Sequence, residues 1–491
     1  MEQSTSQTTK VCQGSSRRYS PSNGHGREAV RCGAWRATLR SANVVRASAL
    51  IVIVVAACRG APAPAPWSEA WLESEANKFL GPATERRAAL EGSLVNPTNI
   101  YSRQRLASYG RVTTGWDALP EWNPRSRLID RAAAAELARR TWPELPAERL
   151  WDGRRPTTQA DWIALGRRVF FEFPLRAEIA MEHAMTPWSA DVELPVDAAA
   201  AGASLGIERT ATGDVPGLVV FGDVDGQRRI GITCAICHTA VRDGAVVAGA
   251  ARRRFDLGAL RLIFYRETST AIDPELARRM ATWGPGRADV TEDDDEDPVA
   301  IPDLWGLRAE TYLTQAGTIR HTGPMALAIR QETQLLHANA LRVRPPRELA
   351  WALAMYLYSL EPPPARRGGD PAMIAHGAAL FDQACRTCHA SAVYAGDPVA
   401  VARVGTDPSL ANGRARGTGR YRVAPLVRVV DAAPYLHDGS VVSLDMLLSP
   451  ERLAPGFTGG ARGPGPILGH TFGTALAETD RAALRSYLET L

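Results

Sequence analysis

Apolar residues recur every three to four positions in several segments of this 491-residue chain. This spacing gathers the apolar side chains on one face of a helix and predicts amphipathic α-helices. The clearest such segments are 129–141, 160–173, 347–360, 371–390 and 479–491. The pattern therefore predicts a mainly α-helical fold.

One apolar stretch near the N-terminus has a different character. The stretch from Ala47 to Ala57 carries no charge and follows Arg36, Arg40 and Arg46. Its length suits the apolar core of a signal peptide and is too short to span a bilayer. We therefore expect residues 1–57 to be an export signal. The charged region before the core is unusually long, which leaves open a start further downstream.

The apolar core ends in Val55-Ala56-Ala57-Cys58, which resembles the lipobox of bacterial lipoproteins. In those proteins the cysteine is acylated and becomes the first mature residue, and several acyl chains hold a protein stably at a membrane. The alternative is ordinary cleavage within 61–64, which would release a soluble periplasmic protein. We favour a lipid anchor at Cys58 because this cysteine otherwise has no role. The expected location is the periplasm or the outer membrane.

The positive charge of the chain belongs to the predicted signal. The full chain carries 57 Lys and Arg against 53 Asp and Glu. Without residues 1–57, which hold 8 basic and 2 acidic residues, the balance is 49 against 51. No basic run remains that would indicate a nucleic-acid partner. The acidic run 292–297 lacks the glycine turn and final glutamate of a calcium-binding loop, so we assign it no site.

Composition divides the rest of the chain into segments. Residues 58–66 form an Ala/Pro tether, and the prolines and glycines of the linker 361–370 end the preceding helix. We expect a helical N-terminal extension over 67–156, a first domain over 157–360 and a second domain over 371–491. The extension holds six of the 12 tryptophans and no cluster of metal ligands, so its predicted role is packing.

Two copies of the pentapeptide Cys-x-x-Cys-His carry the clearest chemistry. The copies are Cys234 to His238 and Cys385 to His389, with Cys237 and Cys388 as the second cysteines. The motif is that of covalent haem c attachment, in which both thiols bond the porphyrin and the histidine is the proximal iron ligand. Zinc sites place their cysteine pairs about 15 to 20 residues apart, and a thioredoxin-like pair needs a βαβ setting that is missing here. We therefore predict two covalently bound haem c groups, with His238 and His389 as iron ligands.

Each motif is framed by two predicted helices. Segment 371–390 leads into the second motif and 479–491 closes the chain, whereas 160–173 and 347–360 frame the first motif with a long insertion between them. Two helices and a haem make most of the core of a small cytochrome c. The expected architecture is two cytochrome c-type haem domains in tandem after the N-terminal extension.

Several segments together resemble one family. The two motifs, "LGRRVFFEF" (165–173) and above all "PYLHDGS" (434–440) are similar to the bacterial di-haem cytochrome c peroxidase-like superfamily, which includes rubber-oxygenase-like di-haem cytochromes. The resemblance covers residues 157–491. It implies that the second haem stores electrons and that the first reacts with peroxide or oxygen. It also implies an electron-donor or acceptor protein as partner and hydrogen peroxide or oxygen as the small-molecule oxidant.

An internal repeat supports a duplicated plan. Segments 302–317 and 424–439 have the same length, and each has a Tyr-Leu pair shortly before its final glycine. The copies differ just before that glycine, where the second has His437 and the first has Gln315. The peroxidases carry at the position of Gln315 a tryptophan that helps electrons cross between the haems. Its loss here argues against a standard peroxidase.

The distal ligand of the second haem is expected to be His470. Its surroundings, "GPILGHTFGTAL" (465–476), resemble the distal ligand region of the rubber-oxygenase branch. Met446 and His437 are the alternatives. A hydrogen-bonded structural histidine is the competing interpretation for either histidine.

The first haem has no second ligand marked by a motif. The family's distal glutamate would fall near Leu335, and Glu332 is the closest acid. His321 lies just beyond the repeat glycine, and Gln331 lies beside Glu332 on a helical pattern. These three residues, His321, Gln331 and Glu332, are the candidate catalytic residues, and a supporting role away from the haem is the alternative for each.

Unequal repeat copies favour haems with unequal roles. We expect a periplasm-facing oxidoreductase, peroxidase-like or oxygenase-like, in which the second haem relays electrons to a reactive first haem. A non-catalytic di-haem electron-transfer protein is the alternative.

Overall fold

The computed structural model describes residues 64–111, 114–185, 205–289, 297–365 and 368–491. The predicted signal peptide 1–57, the acylation candidate Cys58 and most of the acidic run 292–297 lie outside these residues. From Pro64 onward the chain forms one compact unit. Helix accounts for 41% of the structure and strand for 11%, which confirms the prediction of a mainly helical protein.

The helices match the segments predicted from the hydrophobic pattern to within a few residues. In the described part of the chain the α-helices are α1 (Glu69–Leu80), α2 (Ala83–Ser93), α3 (Ile100–Ser108), α4 (Arg131–Ala138), α5 (Gln159–Glu172), α6 (Ile179–Met185), α7 (Ala235–His238), α8 (Leu257–Glu267), α9 (Pro274–Ala281), α10 (Pro324–Ala338), α11 (Arg347–Tyr358), α12 (Pro371–Ala384), α13 (Val401–Val404), α14 (Ser409–Asn412), α15 (Leu444–Leu448) and α16 (Glu478–Leu488).

The strands are short and pair in antiparallel fashion. They are β1 (Ser126–Leu128), β2 (Arg176–Ala177), β3 (Leu218–Gly222), β4 (Arg228–Ile232), β5 (Thr239–Arg242), β6 (Ala245–Ala248), β7 (Arg287–Ala288), β8 (Val299–Ala300), β9 (Tyr312–Leu313), β10 (Ile319–Arg320), β11 (Gly396–Ala400) and β12 (Arg420–Val423). A four-stranded sheet has the order β1-β3-β4-β2. A single residue separates the first Cys-x-x-Cys-His motif from the end of β4, so this sheet positions Cys234.

The helices that frame the first motif cross at a glycine. A Cβ atom added at Gly166 in α5 would lie 1.9 Å from the carbonyl oxygen of Ala352 and 2.7 Å from Cβ of Tyr356, both in α11. Those distances are far inside van der Waals contact, so only glycine allows the two backbones to approach this closely. The close approach buries the apolar face of α11 almost completely.

The helices that frame the second motif cross in the same way. A Cβ atom at Gly377 in α12 would lie 2.0 Å from the carbonyl oxygen of Ala483 and 2.9 Å from Cβ of Tyr487 in α16. Both crossings therefore set a glycine on the first helix against an alanine and a tyrosine four residues apart on the second. The two motifs are therefore framed by helix pairs that cross in the same way.

The repeated segments after each motif also share one backbone geometry. Each contains a short 3-10 helix, Leu307–Ala309 in the first and Val429–Asp431 in the second. Each then forms a tight antiparallel hairpin, pairing Leu313 with Ile319 in the first copy and Tyr435 with Val441 in the second. The repeat recognised in the sequence is therefore a repeat in structure.

The N-terminal extension does not have a core of its own. Its buried residues Leu72, Phe79 and Leu90 belong to one hydrophobic cluster with Val169 of α5 and Leu353 of α11. The predicted boundary at 156/157 lies within the chain that builds this cluster. By contrast, residues 381–488 form a separate cluster around Phe381, Val429 and Leu484, beyond the linker 361–370.

We predict that alanine at either crossing glycine destabilises the protein. In Gly377→Ala the methyl group meets the Ala483 carbonyl, and overpacking of this kind costs about 1 to 3 kcal/mol or more, against a helix-propensity gain of roughly 1 kcal/mol. Denaturant unfolding of the haem-loaded protein measures the net effect.

Gly92→Ala is the matched control for this prediction, because Gly92 lies in helix α2 with nothing within 4 Å of an added Cβ. There we expect a gain of about 0.5 to 1 kcal/mol. Equal effects of Gly377→Ala and Gly92→Ala would show that helix propensity, and not the close crossing, governs the site.

Candidate functional site

The first motif occupies the turn between β4 and β5. Cys234, Cys237 and His238 are enclosed, and burial raises the pKa of Cys234 to about 12 and that of Cys237 to about 11. Burial also lowers the pKa of His238 to about 4, so its ring is neutral near pH 7. His238 Nδ1 lies 3.1 Å from the carbonyl oxygen of Pro302. A carbonyl only accepts hydrogen bonds, so Nδ1 carries the proton and Nε2 has the free lone pair that an iron ligand needs.

The second motif is arranged in the same way at the end of α12. His389 Nδ1 lies 2.6 Å from the carbonyl oxygen of Tyr394, and the carbonyl of Ala424 also interacts with the ring. Ala424 begins the second repeat as Pro302 begins the first, so each repeat starts at a carbonyl that faces a motif histidine. Burial lowers the pKa of His389. Both motif histidines are therefore neutral and oriented for coordination through Nε2.

A large, mostly apolar cavity opens beside the second motif. Cys385, Cys388 and His389 form part of its lining. Opposite elements contribute His470 and apolar side chains of α15 and α16, including Leu444 and Leu484. Buried apolar walls with a few polar groups are typical of a cofactor site.

His470 meets the requirements for a second iron ligand in this cavity. Its Nδ1 is buried without a hydrogen-bond partner. Burial lowers the pKa of His470 to about 4, and the charge of His389 contributes to that shift. Both histidines line the cavity. Its backbone is held by Val404, whose carbonyl accepts from the His470 amide at 2.8 Å, and by Arg452, which donates to the His470 carbonyl at 2.9 Å. A buried polar atom without a partner is costly, and a metal ion would satisfy the ring.

The two alternative ligands are placed differently. Met446 lies on α15 with its Cε atom beside Gly459, whereas its neighbours Leu447 and Leu448 line the cavity. His437 lines the cavity, but its Nε2 is 3.0 Å from the hydroxyl of Tyr421 and the two rings stack at 4.1 Å. The geometry favours His470 over both.

Two arginines in the cavity wall have unused hydrogen-bond donors. Arg422 pairs with Glu310, and Arg253 lies 2.7 Å from Asp303. The Nε atoms of both arginines are buried without a partner. Such groups fit the two carboxylates that a haem carries, because a buried guanidinium is stabilised by an anion. The residues present therefore fit a haem, because the cavity is mostly apolar and its lining includes two histidines and two arginines.

The tips of the two repeat hairpins meet at the wall of the same cavity. The Gln315 side chain donates to the carbonyl of Ala300 at 3.1 Å, and the Ala300 amide donates to the carbonyl of His437 at 2.8 Å. Gln315 and His437 both line the cavity. Gln315 therefore lies in the wall of the cavity beside the second motif.

The three candidate catalytic residues do not converge on one site. His321 is hydrogen-bonded to Tyr358 and to the carbonyl of Glu310. Gln331 is half-buried on α10. On the same helix, the charge of Arg330 lowers the pKa of Cys234 and of His238, although burial has the larger effect on both.

Glu332 faces the N-terminal extension. Its Oε2 accepts from the hydroxyl of Tyr109 at 2.6 Å, and its Oε1 lies 3.3 Å from Arg347. Arg347 and Arg86 both bond Asp117, at 2.9 and 3.0 Å. Burial raises the pKa of Glu332, and Arg347 opposes that shift. Glu332 therefore has a structural role in a buried network with Tyr109, Arg347, Asp117 and Arg86.

Sequence reasoning did not single out the arginines of the cavity or Tyr358, the hydrogen-bond partner of His321. Arg253 and Arg422 lie in sequence far from the second motif and carry no local signature. The only available signal was indirect, since Arg422 precedes the second repeat by two residues and Glu310 lies inside the first.

Comparison with known proteins gives little. No protein-family model and no curated protein matches the chain. One structural neighbour is described as a MauG-like protein associated with microbial copper homeostasis, with 17% identity and a TM-score of 0.30, over 43% of this chain and 79% of that one. A likeness at this level supports no argument about chemistry, so the function must be argued from the residues themselves.

No helix in the described residues is both long enough and apolar enough to cross a bilayer.

We predict that Glu332→Ala unfolds the protein more easily without altering the haem ligands. It leaves Arg347 and Tyr109 buried without their partner, and breaking a buried charge pair costs about 3 to 5 kcal/mol. Glu275→Ala, which removes an exposed acid paired with Arg278, is the control and should change stability by less than about 0.5 kcal/mol. Denaturant unfolding and the visible spectrum measure the two effects. A changed spectrum of the first haem with unchanged stability would contradict this role and favour a catalytic one.

Proposed function

We propose that this protein is a di-haem c-type cytochrome acting as an oxidoreductase. Haem 1 would be attached at Cys234 and Cys237 with His238 as iron ligand, and haem 2 at Cys385 and Cys388 with His389. The observation that carries the proposal is the cavity lined by His389 and His470, with two arginines in its wall whose Nε donors are buried without a partner. Two covalent haems of this kind supply one-electron chemistry.

In this proposal the two centres have different roles. Histidines on both faces would saturate the iron of haem 2, which suits electron storage and transfer. The chain places no comparable second histidine by motif at haem 1, which favours reaction with peroxide or oxygen there. In this proposal haem 2 relays electrons to haem 1, and the haem domains span 157–360 and 371–491.

The cellular setting of the proposal comes from the sequence. Haem c attachment and the apolar segment 47–57 both favour export, and the Val55-Ala56-Ala57-Cys58 segment favours a lipid anchor at Cys58 in the periplasm or at the outer membrane. The partners would be an electron-donor or acceptor protein and hydrogen peroxide or oxygen. A simple di-haem carrier is the other function that this chemistry allows.

We predict that His470 variants change the ligation of haem 2 alone. His470→Ala removes the second axial ligand, so the low-spin signal of haem 2 should be lost in low-temperature EPR. His470→Met should keep that haem low-spin and raise its midpoint potential, because thioether ligands favour the reduced iron. The exposed His376, which pairs with Asp480, provides the control variant His376→Ala. An unchanged EPR spectrum in His470→Ala would exclude His470 as a ligand.

We predict that each motif holds one haem. Replacing both cysteines by alanine in one motif should lower the covalent haem content from two to one, because the thioether bonds require the thiols. The pyridine haemochrome assay and haem staining after denaturing electrophoresis measure this number. EPR of the Cys234→Ala/Cys237→Ala protein with added peroxide then separates the two functions. In the enzyme, the peroxide response disappears together with haem 1, whereas an electron carrier shows no response even with both haems present.

A further inference from the structure

Tyr358 and His321 form a hydrogen-bonded pair outside the haem-2 cavity. The Tyr358 hydroxyl makes a short hydrogen bond with Nε2 of His321. The two rings stack with 5.6 Å between centroids and 15° between planes. Burial raises the pKa of Tyr358 well above its ordinary value. The phenol therefore stays protonated and has the imidazole as its partner.

The second nitrogen of His321 fixes the direction of this hydrogen bond. Nδ1 lies 2.7 Å from the carbonyl oxygen of Glu310, which can only accept. Nδ1 of the neutral ring therefore carries the hydrogen, and Nε2 is the acceptor for the Tyr358 proton. Burial lowers the pKa of His321, which keeps the ring neutral and Nε2 free to receive a proton.

The pair is connected to both candidate haem centres through neighbouring residues. The Glu310 carboxylate pairs with Arg422 in the wall of the haem-2 cavity. On the other side, Leu360 follows Tyr358 by two residues and lies beside Gly249, whose amide donates to the carbonyl of His238 at 2.9 Å. Tyr358 is thus linked by packed groups to the haem-1 histidine and, through His321 and Glu310, to the haem-2 wall.

We propose that Tyr358 is a redox-active residue with His321 as its proton acceptor, an inference that rests on the proposed haem function. Tyr358 would give up one electron to the oxidant, which in this proposal is the peroxide-reactive haem centre. The phenolic O–H bond breaks, the proton forms a new N–H bond at His321 Nε2, and a neutral tyrosyl radical and an imidazolium remain. Return of one electron and that proton restores the pair.

The surroundings of Tyr358 favour its oxidation over that of its neighbour Trp67. Trp67 contacts Tyr358 edge to face, with 5.0 Å between the ring centroids. The guanidinium carbon of Arg308 lies 4.4 Å from the centroid of the Trp67 ring. A cation on that face stabilises the neutral indole and opposes loss of an electron from it. The oxidising equivalent should therefore stay on Tyr358.

Freeze-quench EPR on the haem-loaded protein tests this proposal. The protein is oxidised in one experiment with hydrogen peroxide and in another with a flash-generated ruthenium(III) complex, which supplies a one-electron oxidant without relying on haem reactivity. We expect a tyrosyl radical signal that narrows when the protein is grown with ring-deuterated tyrosine. The signal should be lost in Tyr358→Phe, which keeps the ring packing, and greatly reduced in His321→Gln, which can accept a hydrogen bond but not the proton.

Tyr356→Phe is the matched control, because Tyr356 lies two positions before Tyr358 on the same helix and packs on Phe170. It should keep the full radical signal. A tyrosyl signal that survives in Tyr358→Phe, or no tyrosyl signal with either oxidant, overturns the proposal. Haem content and the low-spin spectrum of the same samples report on the haem assignment. A loss of haem or of the low-spin signal would contradict the haem assignment. A missing tyrosyl radical in protein that keeps both would contradict only the proposal for Tyr358 and His321.

Discussion

The hydrogen bond between each motif histidine and a backbone carbonyl is the interaction on which both candidate centres depend. It selects one tautomer and one ring orientation, and leaves Nε2 as the only nitrogen able to ligate iron. At the first motif the carbonyl belongs to Pro302, which itself lines the cavity of the second motif. One short segment thus orients the first histidine and forms part of the wall around the second. This shared segment is a physical reason to expect the two centres to influence each other.

Much of this architecture could be predicted from the sequence because its signals are local. A Cys-x-x-Cys-His pentapeptide and a run of apolar residues at helical spacing are complete within a few turns of chain. The crossing at Gly166 has no such signature, since its requirement for glycine arises from Ala352 on a distant helix. The same holds for Glu332, whose partner Tyr109 is 223 residues away in sequence. A carboxylate on an amphipathic helix shows which face it lies on but not which distant segment covers that face.

The two repeat hairpins differ in their side chains more than in their backbone. Thr314 and Leu436 both have positive φ, at 72° and 68°, and the glycines that end the hairpins do as well. Positive φ is unusual for side-chain-bearing residues, so its recurrence at equivalent positions shows that the turn itself has been kept. On this common backbone Gln315 and His437 present different chemistry to the same cavity. The side chains differ at the tips of a hairpin whose backbone geometry is the same in both copies.

The N-terminal extension packs as one unit with the helices that frame the first motif. Its Tyr109 and Asp117 supply partners to Glu332 on α10 and Arg347 on α11. Without the extension those two side chains would be left exposed to water on a surface otherwise built from apolar residues, or buried without full compensation. The tryptophans of the extension have the corresponding apolar role, as Trp67 covers Tyr358 at the end of α11. Packing, as predicted from composition, therefore describes the extension only in part, because the extension also supplies partners to the buried charges of α10 and α11.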